Sequence, residues 1–479
     1  MSCIDRLLEV EDRYSLYEKQ IEGVYCWTLT RSSMQYSVIG KASGNSRSPH
    51  ENEKKLKYKI NALKCVISSL WSLLLIKKER NKEVVFLVSR RIWDNGRFVS
   101  YCTEDLKAWK TNSVLLEQSN STQNQECVNE DGQMYIDALV QYNLVYLKLY
   151  RSFCRRKVEK LRKKTSIELS APLGEILGYY NSDKTVEKAV DDIVDHILLF
   201  NISKKTFSRI LTVFNPRVII EVCHYSFINM VFNSIAHDLG IPVVELQHGT
   251  MHEDHIAYQY SKDVKVPLLP DYIFTFSDYW NKVANVPRTS TKLISTGFPY
   301  FEKGVQKAKE ENVRRDNRTT ILFLSPGLET HLGQIAIDIA NACDSKSYRI
   351  IYKLHPFEYN MKDSALEHLI RDDIELIRGS EPGLYDLFAQ SDIQISTFST
   401  AIYEGLGFGL KTFIYKEGWA QTMQSFVDEG YGKFFETSEE LKMLIADGGK
   451  EENKTSTMFW KTDAANCMKR EIAKILEQE

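Results

Sequence analysis

A histidine lies where one predicted strand of the second half of the chain ends. Residues 349–354 form a mostly apolar run, and His355 and Pro356 follow it directly. Ligands of open parallel α/β sheets bind beyond the carboxyl ends of the strands, and proline holds the residue before it extended. The imidazole of His355 is therefore predicted to donate to a diphosphate or a nucleotide base, with Lys353 as its neighbour in the site. A histidine that only caps the turn is the alternative.

Four hydroxyl residues lie between a predicted strand at 393–396 and a predicted helix at 401–406. Hydroxyls and unbonded N–H groups at a helix N-terminus, together with the positive end of the helix dipole, form a phosphate site. A plain N-cap would account for one hydroxyl only, so the cluster favours phosphate binding. Its members are Ser396, Thr397, Ser399 and Thr400.

Two further residues extend this predicted nucleotide site. Glu404 lies one turn into the helix, where its carboxylate would reach a ribose diol or would only favour the helix dipole. Gly327 belongs to the short turn after the predicted strand 320–325. A glycine at such a turn lets the backbone approach a phosphate closely.

The loop after the predicted strand 242–246 is rich in histidines and acids. A histidine or carboxylate beside a cleft can act as a general base. His248 is the first candidate base because it follows the strand directly and precedes a glycine. Glu253 and Asp254 are the second candidates. The alternatives are an ordinary polar surface loop and a metal site, whose ligands would be His248, His252 and His255.

A basic run at 151–164 ends the helix that the pattern predicts over 134–164. It contains eight arginines and lysines and a single acid, Glu159. One interpretation is a solvated helix end beside the negative pole of the dipole. The other is contact with anionic lipid headgroups or a polyanionic acceptor. The formal net charge of the chain is −2, so nucleic acid is not expected as a partner.

Strands and helices alternate in two blocks. This alternation predicts an α/β fold with two Rossmann-like lobes, an interlobe cleft and a C-terminal helix. In the first block, Gly240 ends a helix predicted at 225–239. His224 lies just before this helix, and it is either a site residue or a core histidine whose hydrogen bonds are satisfied. The predicted strands of this block are 83–89, 216–222, 242–246, 272–277 and 292–295.

The charged, apolar-poor segment 302–319 is predicted to link the lobes. Residues 1–301 would form the acceptor-side lobe with an extra N-terminal helical region, and residues 320–479 the lobe that binds the nucleotide sugar. The elements predicted in the second block are strands at 320–325, 348–354, 374–377, 393–396 and 411–415 and helices at 333–343, 401–406 and 456–476.

Composition is typical of a globular protein with more than one domain. The chain has 479 residues, of which 43% are hydrophobic and 26% charged. Nine cysteines without a CxxC pair, and no apolar segment at the start, predict free thiols and a cytoplasmic location, with the inner face of the membrane as one possible site. The longest apolar stretch, 65–76, is too short to cross a bilayer and is predicted as a buried helix.

Together these motifs resemble those of bacterial surface-polysaccharide glycosyltransferases. The groups with the greatest similarity are the capsule-synthesis, polysialyltransferase and glycerophosphotransferase-like enzymes. The resemblance covers about 215–440, under half of the chain. The matching motifs are KLHP at 353–356, STFST and EGLGFG within 396–409, and LQHGT at 246–250.

This resemblance implies the two-lobed GT-B fold, in which a catalytic metal is usually absent. It also implies that His355, Ser396 and Ser399 contact the nucleotide, and that Glu404 binds the ribose. The base would then come from the other lobe, where His248 lies.

The predicted function is transfer of a sugar from a nucleotide-activated donor to a surface polysaccharide or a lipid-linked glycan precursor. The donor would be a substrate rather than a cofactor, with CMP, CDP and UDP all open as its nucleotide. Transfer of a polyol phosphate from a CDP carrier and epimerisation of a nucleotide sugar are alternatives on the same fold. A non-catalytic nucleotide-binding component of a polysaccharide assembly complex is a third.

Overall fold

Two parallel β-sheets flanked by helices form the core of the protein in this computed structural model. The predicted α/β fold with two Rossmann-like lobes is confirmed. The residues that the structure describes are 4–34, 38, 55–76, 80–88, 92–94, 97–118, 133–310, 317–327, 331–359, 361, 363–447 and 456–477.

The first lobe contains a seven-stranded parallel sheet and two short antiparallel pairs. The strands are β1 (Gln20–Ile21), β2 (Val24–Tyr25), β3 (Val84–Val88), β4 (Ile92–Asp94), β5 (Arg97–Val99), β6 (Ser113–Glu117), β7 (Gln133–Tyr135), β8 (Val218–Glu221), β9 (Val243–Leu246), β10 (Tyr272–Thr275) and β11 (Lys292–Ser295). β1 pairs with β2 and β4 with β5, and the sheet order is β11-β10-β9-β8-β3-β6-β7. If the strands of this sheet are numbered along the chain from β3, their order is the doubly wound order 3-2-1-4-5-6. The seventh strand, β11, lies next to the sixth at the edge of the sheet.

The second lobe contains a six-stranded parallel sheet. Its strands are β12 (Thr319–Leu324), β13 (Tyr348–Lys353), β14 (Glu375–Ile377), β15 (Ile393–Ser396), β16 (Lys411–Tyr415) and β17 (Lys433–Phe435). The order β14-β13-β12-β15-β16-β17 is again 3-2-1-4-5-6. The winding therefore reverses between β3 and β8 in the first sheet and between β12 and β15 in the second.

Helices cover both sheets and form an additional N-terminal layer. They are α1 (Asp5–Arg13), α2 (Cys26–Met34), α3 (Lys55–Leu75), α4 (Glu104–Trp109), α5 (Asp137–Phe153), α6 (Arg155–Tyr179), α7 (Val186–Phe214), α8 (Phe227–Leu239), α9 (Asp278–Val283), α10 (Pro299–Glu310), α11 (Leu332–Ala342), α12 (Asp363–Leu366), α13 (Leu384–Gln390), α14 (Thr400–Gly407), α15 (Gln424–Asp428), α16 (Ser438–Ala446) and α17 (Ala464–Glu477).

The long helix predicted over 134–164 is two helices in the structure. Met134 and its neighbours form the edge strand β7, which pairs with β6. Helix α5 then runs to Phe153, and Cys154, with ψ of 33°, separates it from α6. Because of this break, both α5 and α6 pack against the same long helix, α7. An apolar periodicity continues smoothly across such a break, so the sequence pattern missed it.

The ends of the second predicted domain also differ from expectation. Helix α10 occupies the first part of the predicted linker 302–319, since its face with Pro299 and Phe301 is buried. At the C-terminus, the predicted helix 456–476 begins only at Ala464. The segment 456–477 packs on the first lobe, where Phe459, Trp460 and Ile472 join the hydrophobic core. The sequence-based boundaries had placed this segment in the second lobe.

The apolar stretch 65–76 is helical, as predicted, but it is not buried on all sides. Cys65 and Ser69 of α3 are buried, whereas Trp71 is 64% exposed and Leu74 is 75% exposed. Within the described parts of the chain, no helix is long and apolar enough to span a membrane.

Candidate functional site

The predicted site residues follow the carboxyl ends of strands that lie at or beside the two reversal points. His224 and His248 come after β8 and β9, while Gly327 and His355 come after β12 and β13. The hydroxyl run follows β15. Ligands of doubly wound sheets bind at these strand ends, so the fold places the candidates from both lobes where a ligand would bind.

The ring orientation of His355 is fixed by its own loop. The Phe357 N–H donates to Nδ1 of His355 at 3.2 Å, and the His355 N–H donates to the Glu358 carboxylate at 2.8 Å. A neutral imidazole whose Nδ1 accepts a hydrogen bond has its proton on Nε2. His355 therefore presents an Nε2–H donor, as a phosphate contact would require.

Gly327 packs directly against this imidazole. Its φ is +71°, a left-handed conformation that favours glycine, and a Cβ at this position would lie 2.6 Å from Cγ of His355. The turn after β12 and the loop after β13 therefore form one surface. The close approach predicted for Gly327 is made to His355 within this protein.

The four hydroxyl residues after β15 have different partners. Ser396 is buried, and its hydroxyl donates to the Leu324 carbonyl at 2.8 Å. This bond ties β15 to β12 and leaves the Ser396 oxygen as an acceptor only. Ser399 is the N-cap of α14 and accepts from the Ala401 N–H at 3.1 Å. Thr397 is also buried, and its Oγ1 forms no hydrogen bond within the described chain.

Thr400 connects the two lobes. Its Oγ1 accepts a hydrogen bond from the Thr250 N–H of the histidine loop at 3.1 Å. Beside it, a Cβ added to Gly249 would lie 3.3 Å from the same oxygen. The loop predicted to supply the base and the loop predicted to hold the phosphates therefore touch across the cleft.

Two titratable groups of the second lobe have shifted pKa values. Burial lowers the pKa of Lys353 to about 8; its Nζ donates to the Gly379 carbonyl and lies 4.9 Å from the centre of the Tyr359 ring. Burial raises the pKa of Glu404 to about 7, with the Tyr385 hydroxyl acting in the opposite direction. Near neutral pH, Glu404 thus exists in both protonation states and could donate to or accept from a diol.

His248 belongs to a cluster of histidine and tyrosine rings in the first lobe. It is partly exposed, and its Nε2 lies 3.4 Å from the Tyr225 hydroxyl. The Tyr225 ring lies 5.3 Å from that of His255, and Tyr258 packs on His255 at 4.8 Å between centroids. The Tyr225 ring, 6.1 Å from that of His248, joins it to the rings of His255 and Tyr258.

The buried Glu245 carboxyl group forms hydrogen bonds with residues of this cluster and of the turn before it. Glu245 of β9 accepts hydrogen bonds from Nδ1 and the N–H of His224, at 2.6 and 3.1 Å, and from the Tyr258 hydroxyl at 2.9 Å. Cys223, just before His224, has φ of +73°, a conformation that costs a non-glycine residue free energy. His224 is thus a satisfied buried histidine, and its bonds hold the turn that positions Tyr225.

The second candidate bases, Glu253 and Asp254, line a different part of the interlobe region. They border a cleft of about 770 Å³ whose other walls come from 277–283, 421–429 and 457–461. His248 is not part of its wall. Next to these acids, burial lowers the pKa of the His252 imidazole to about 4. The structure therefore separates His248 from the acids that follow it in sequence.

The histidine loop does not gather ligands for a metal ion. His252 and His255 pack as rings, with centroids 5.7 Å apart. Across the ranges that the structure describes, no group of three or more histidines, cysteines, aspartates or glutamates could hold a metal ion. The alternative metal site at His248, His252 and His255 therefore receives no support from the geometry.

Some residues of the site were not anticipated. Glu245 lies within an apolar strand, and an acid in such a run was the only sequence signal for it. Tyr225, Tyr258 and Tyr385 had no signal, because tyrosine is common in both cores and sites. Their roles depend on which strands become neighbours.

No protein-family model matches the chain, and no curated protein matches it. Several solved structures are similar to it at low sequence identity. UDP-GlcNAc 2-epimerase from Neisseria meningitidis, bound to UDP-GlcNAc, is 12% identical with a TM-score of 0.48, over 82% of this chain and 99% of that one. A ugt transferase from Siraitia grosvenorii in complex with UDP is 11% identical with a TM-score of 0.45, over 83% and 100%. The wall teichoic acid polymerase TagF is 11% identical with a TM-score of 0.42, over 88% and 98%. Similarity at this level identifies no activity.

Proposed function

We propose that this protein is a glycosyltransferase that moves a sugar from a nucleotide-activated donor to a surface polysaccharide or a lipid-linked glycan precursor. The observation that carries the proposal is the hydrogen bond from the Thr250 N–H to Thr400 Oγ1. It joins a histidine loop in one lobe to a helix N-terminus in the other. A two-substrate transfer needs this arrangement, with donor and base on opposite sides of one cleft.

The second lobe would hold the donor. The N-terminus of α14 points its N–H groups and positive dipole end at the loop 397–400, and the Nε2–H of His355 lies in the neighbouring loop. These donors would stabilise the negative charge that develops on the leaving nucleotide diphosphate. Thr397 offers a buried hydroxyl at the same place, and Glu404 would bind the ribose.

The first lobe would supply the base and receive the acceptor. His248 is the proposed base because it is partly exposed beside the interlobe contact, and the Tyr225 hydroxyl, 3.4 Å from its Nε2, would orient the imidazole. The 770 Å³ cleft, whose wall does not include His248, is proposed for the part of the acceptor remote from the attacking hydroxyl, which would itself lie at His248. Amides, hydroxyls, acids and aromatic rings all line this cleft. That mixture suits a polyhydroxylated ligand. Glu253 and Asp254 would contact the acceptor there. The proposal includes a cytoplasmic location, in keeping with the free thiols of the described cysteines.

The proposal is tested first by nucleotide binding. Thermal unfolding is measured with CMP, CDP, UDP and GDP in turn, and one of them should raise the melting temperature. A ligand at 100 times its Kd stabilises the native state by about 2.7 kcal/mol. His355→Ala should abolish this shift, while His368→Ala, at an exposed histidine of the same lobe, should retain it. Equal shifts in wild type and His355→Ala would remove His355 from the site.

Turnover then separates the classes of reaction. With the nucleotide identified, His248→Ala should retain the thermal shift and lower kcat by about 10²- to 10⁴-fold, the usual contribution of a general base. Conversion of the donor without any acceptor would instead indicate an epimerase. Release of CMP from a CDP-polyol together with transfer of polyol phosphate would indicate a phosphotransferase. Binding without turnover would indicate a non-catalytic component.

A further inference from the structure

Helix α5 presents an apolar stripe on each of two sides. One side is buried, and there Asn143 donates to Ser203 Oγ at 3.1 Å and Leu147 packs into the lobe. The opposite side is exposed to solvent and equally apolar. Its residues are Tyr142, Val145, Tyr146, Leu149 and Phe153, of which Phe153 is 83% exposed. Their spacing of three or four residues places them along one face of the helix. The lobe core does not need this outer stripe.

Helix α3 packs against α5 and exposes a second apolar stripe. Ser69 Oγ of α3 accepts a hydrogen bond from the Ala138 N–H of α5 at 3.1 Å, so the two helices are packed together. The outer side of α3 exposes Leu63, Ile67, Leu70, Trp71 and Leu74. We call these exposed stripes of α3 and α5 the apolar face. Single exposed apolar residues are ordinary, but rows of them along two packed helices indicate an interaction surface.

A basic edge borders the apolar face. It is formed by the start of α6, which follows α5 after Cys154. Arg155, Arg156, Lys157, Lys160 and Lys163 are exposed there, and none forms an ion pair with a described residue. The other basic residues of this run are neutralised within the protein: Arg151 by Asp195, Arg162 by Asp191 and Lys164 by Glu22.

We infer that the apolar face and the basic edge dock on the surface of an anionic lipid bilayer. Helices that bind in the plane of a membrane interface combine an apolar side, often with tryptophan and phenylalanine, with arginine and lysine beside it. The apolar side chains of α3 and α5 enter the boundary of headgroups and acyl chains, and the basic edge contacts the headgroups. The sequence alone suggested contact through 151–164; the apolar face is what the structure adds.

The charge of the basic edge argues against a second copy of this chain as the occupant. A two-fold contact through the apolar face would use the same surface on both copies. Each copy would then bring five unpaired cations to the rim of the interface, where like charges destabilise the complex. An anionic surface has the opposite charge and fits the same edge.

The inference is tested with the full-length chain and vesicles that float on a density gradient. Vesicles of phosphatidylcholine alone are compared with vesicles that also contain phosphatidylglycerol. Wild type should bind the anionic vesicles and bind the neutral ones much less. The apolar variant, Trp71→Ser, Leu74→Ser and Phe153→Ser, should bind at least about tenfold more weakly. The basic variant, Arg156→Gln, Lys157→Gln and Lys160→Gln, should lose about 100-fold, because each such charge contributes roughly fivefold.

Control variants change exposed apolar or basic residues elsewhere. Ile370→Ser with Met443→Ser removes exposed apolar side chains outside the face, and Lys265→Gln with Lys309→Gln removes exposed charges. Both controls should bind anionic vesicles as wild type does. All variants replace exposed side chains, and their melting temperatures report that they fold.

Three results would overturn the inference. The first is the absence of vesicle binding in wild type. The second is unchanged binding by the apolar variant, which would leave only electrostatic attraction. The third is a wild-type dimer in sedimentation that the apolar variant dissociates, without vesicle binding, because the occupant would then be a second copy. None of these depends on the reaction that the protein catalyses.

Discussion

At the scale of single residues, the first lobe contains two carboxyl groups in register on neighbouring strands. Glu221 of β8 and Glu245 of β9 are paired in the sheet and fully buried. Glu245 accepts hydrogen bonds from His224 and Tyr258. Among the residues that the structure describes, Glu221 accepts a hydrogen bond only from Asn233, at 2.9 Å. Burial, and then the nearby Glu245, raise the pKa of Glu221 well above its usual value, so it is the member of the pair that keeps its proton.

Glu221→Gln is therefore expected to stabilise the protein at high pH. An unfolded glutamate has a pKa of about 4.3, so above that pH the native state binds a proton that the unfolded state lacks. The unfolding free energy of wild type should fall by about 1.4 kcal/mol per pH unit until the raised pKa is passed. Glutamine does not titrate, so the advantage of the variant should grow as the pH rises. Urea unfolding between pH 5 and 9 measures this, with exposed Glu367→Gln as control. If the unfolding free energies of the wild type and Glu221→Gln changed in parallel with pH, Glu221 would be ionised in the native state.

At the scale of elements, the N-terminal helices brace the histidine loop. Arg31 of α2 pairs with Glu11 of α1 at 2.5 Å, and both side chains are buried. The Arg31 guanidinium also donates to the carbonyls of Ile256 and Gln259 and lies 4.2 Å from the centre of the Tyr260 ring. A helical region to which the sequence assigned no role thus positions the loop that contains the proposed base.

Arg31→Met should destabilise the protein strongly. It would leave the Glu11 carboxylate buried without its cation, a loss that typically costs about 3–5 kcal/mol. The double variant Glu11→Gln with Arg31→Met should recover much of this, because no buried charge remains. Urea unfolding followed by circular dichroism gives the free energies. Arg13→Met, at an exposed ion pair, should cost at most about 1 kcal/mol. If Arg31→Met lowered the unfolding free energy no more than this control, the buried ion pair of Glu11 and Arg31 would not be needed to hold the histidine loop.

At the scale of the whole molecule, the C-terminal segment holds the lobes together. Trp460 stacks on Phe301 at 4.1 Å and packs on Phe276 of the first lobe at 5.0 Å. Its Nε1 donates to the Tyr403 carbonyl of the second lobe at 3.3 Å. The neighbouring Lys461 N–H donates to the Phe276 carbonyl at 2.8 Å. The C-terminal segment therefore packs on the first lobe, and its residues 457–461 form part of the cleft wall.

Trp460→Ala should lower the unfolding free energy by about 3–5 kcal/mol, the usual cost of removing a buried aromatic side chain. Since the ring contacts both lobes, the nucleotide-induced thermal shift should also decrease. Trp71→Ala, at the exposed tryptophan of α3, should change the unfolding free energy by less than about 0.5 kcal/mol. Circular dichroism is the suitable measurement, because tryptophan fluorescence changes with the substitutions. Equal stability of the two variants would contradict the bridging role.

The sequence by itself determined ten of the thirteen strands of the two sheets and the residues at their carboxyl ends, and it missed β6, β7 and β17. β-branched runs and the glycines and prolines that end them are local signals, so His248, His355 and the run 396–400 could be placed without a structure. That these loops meet was an inference from the doubly wound order. The contact of Thr250 with Thr400 was decided by the docking of the lobes.

Only the tertiary structure decided what the side chains at those positions do. Ser396 faces its own sheet, His224 is held by a glutamate 21 residues away, and the acids after His248 line a separate cleft. Periodicity likewise identified α3 as apolar but not which of its sides is covered. The physical reason is the same in each case: burial and hydrogen bonding depend on elements distant in sequence, and no local pattern specifies which of them become neighbours.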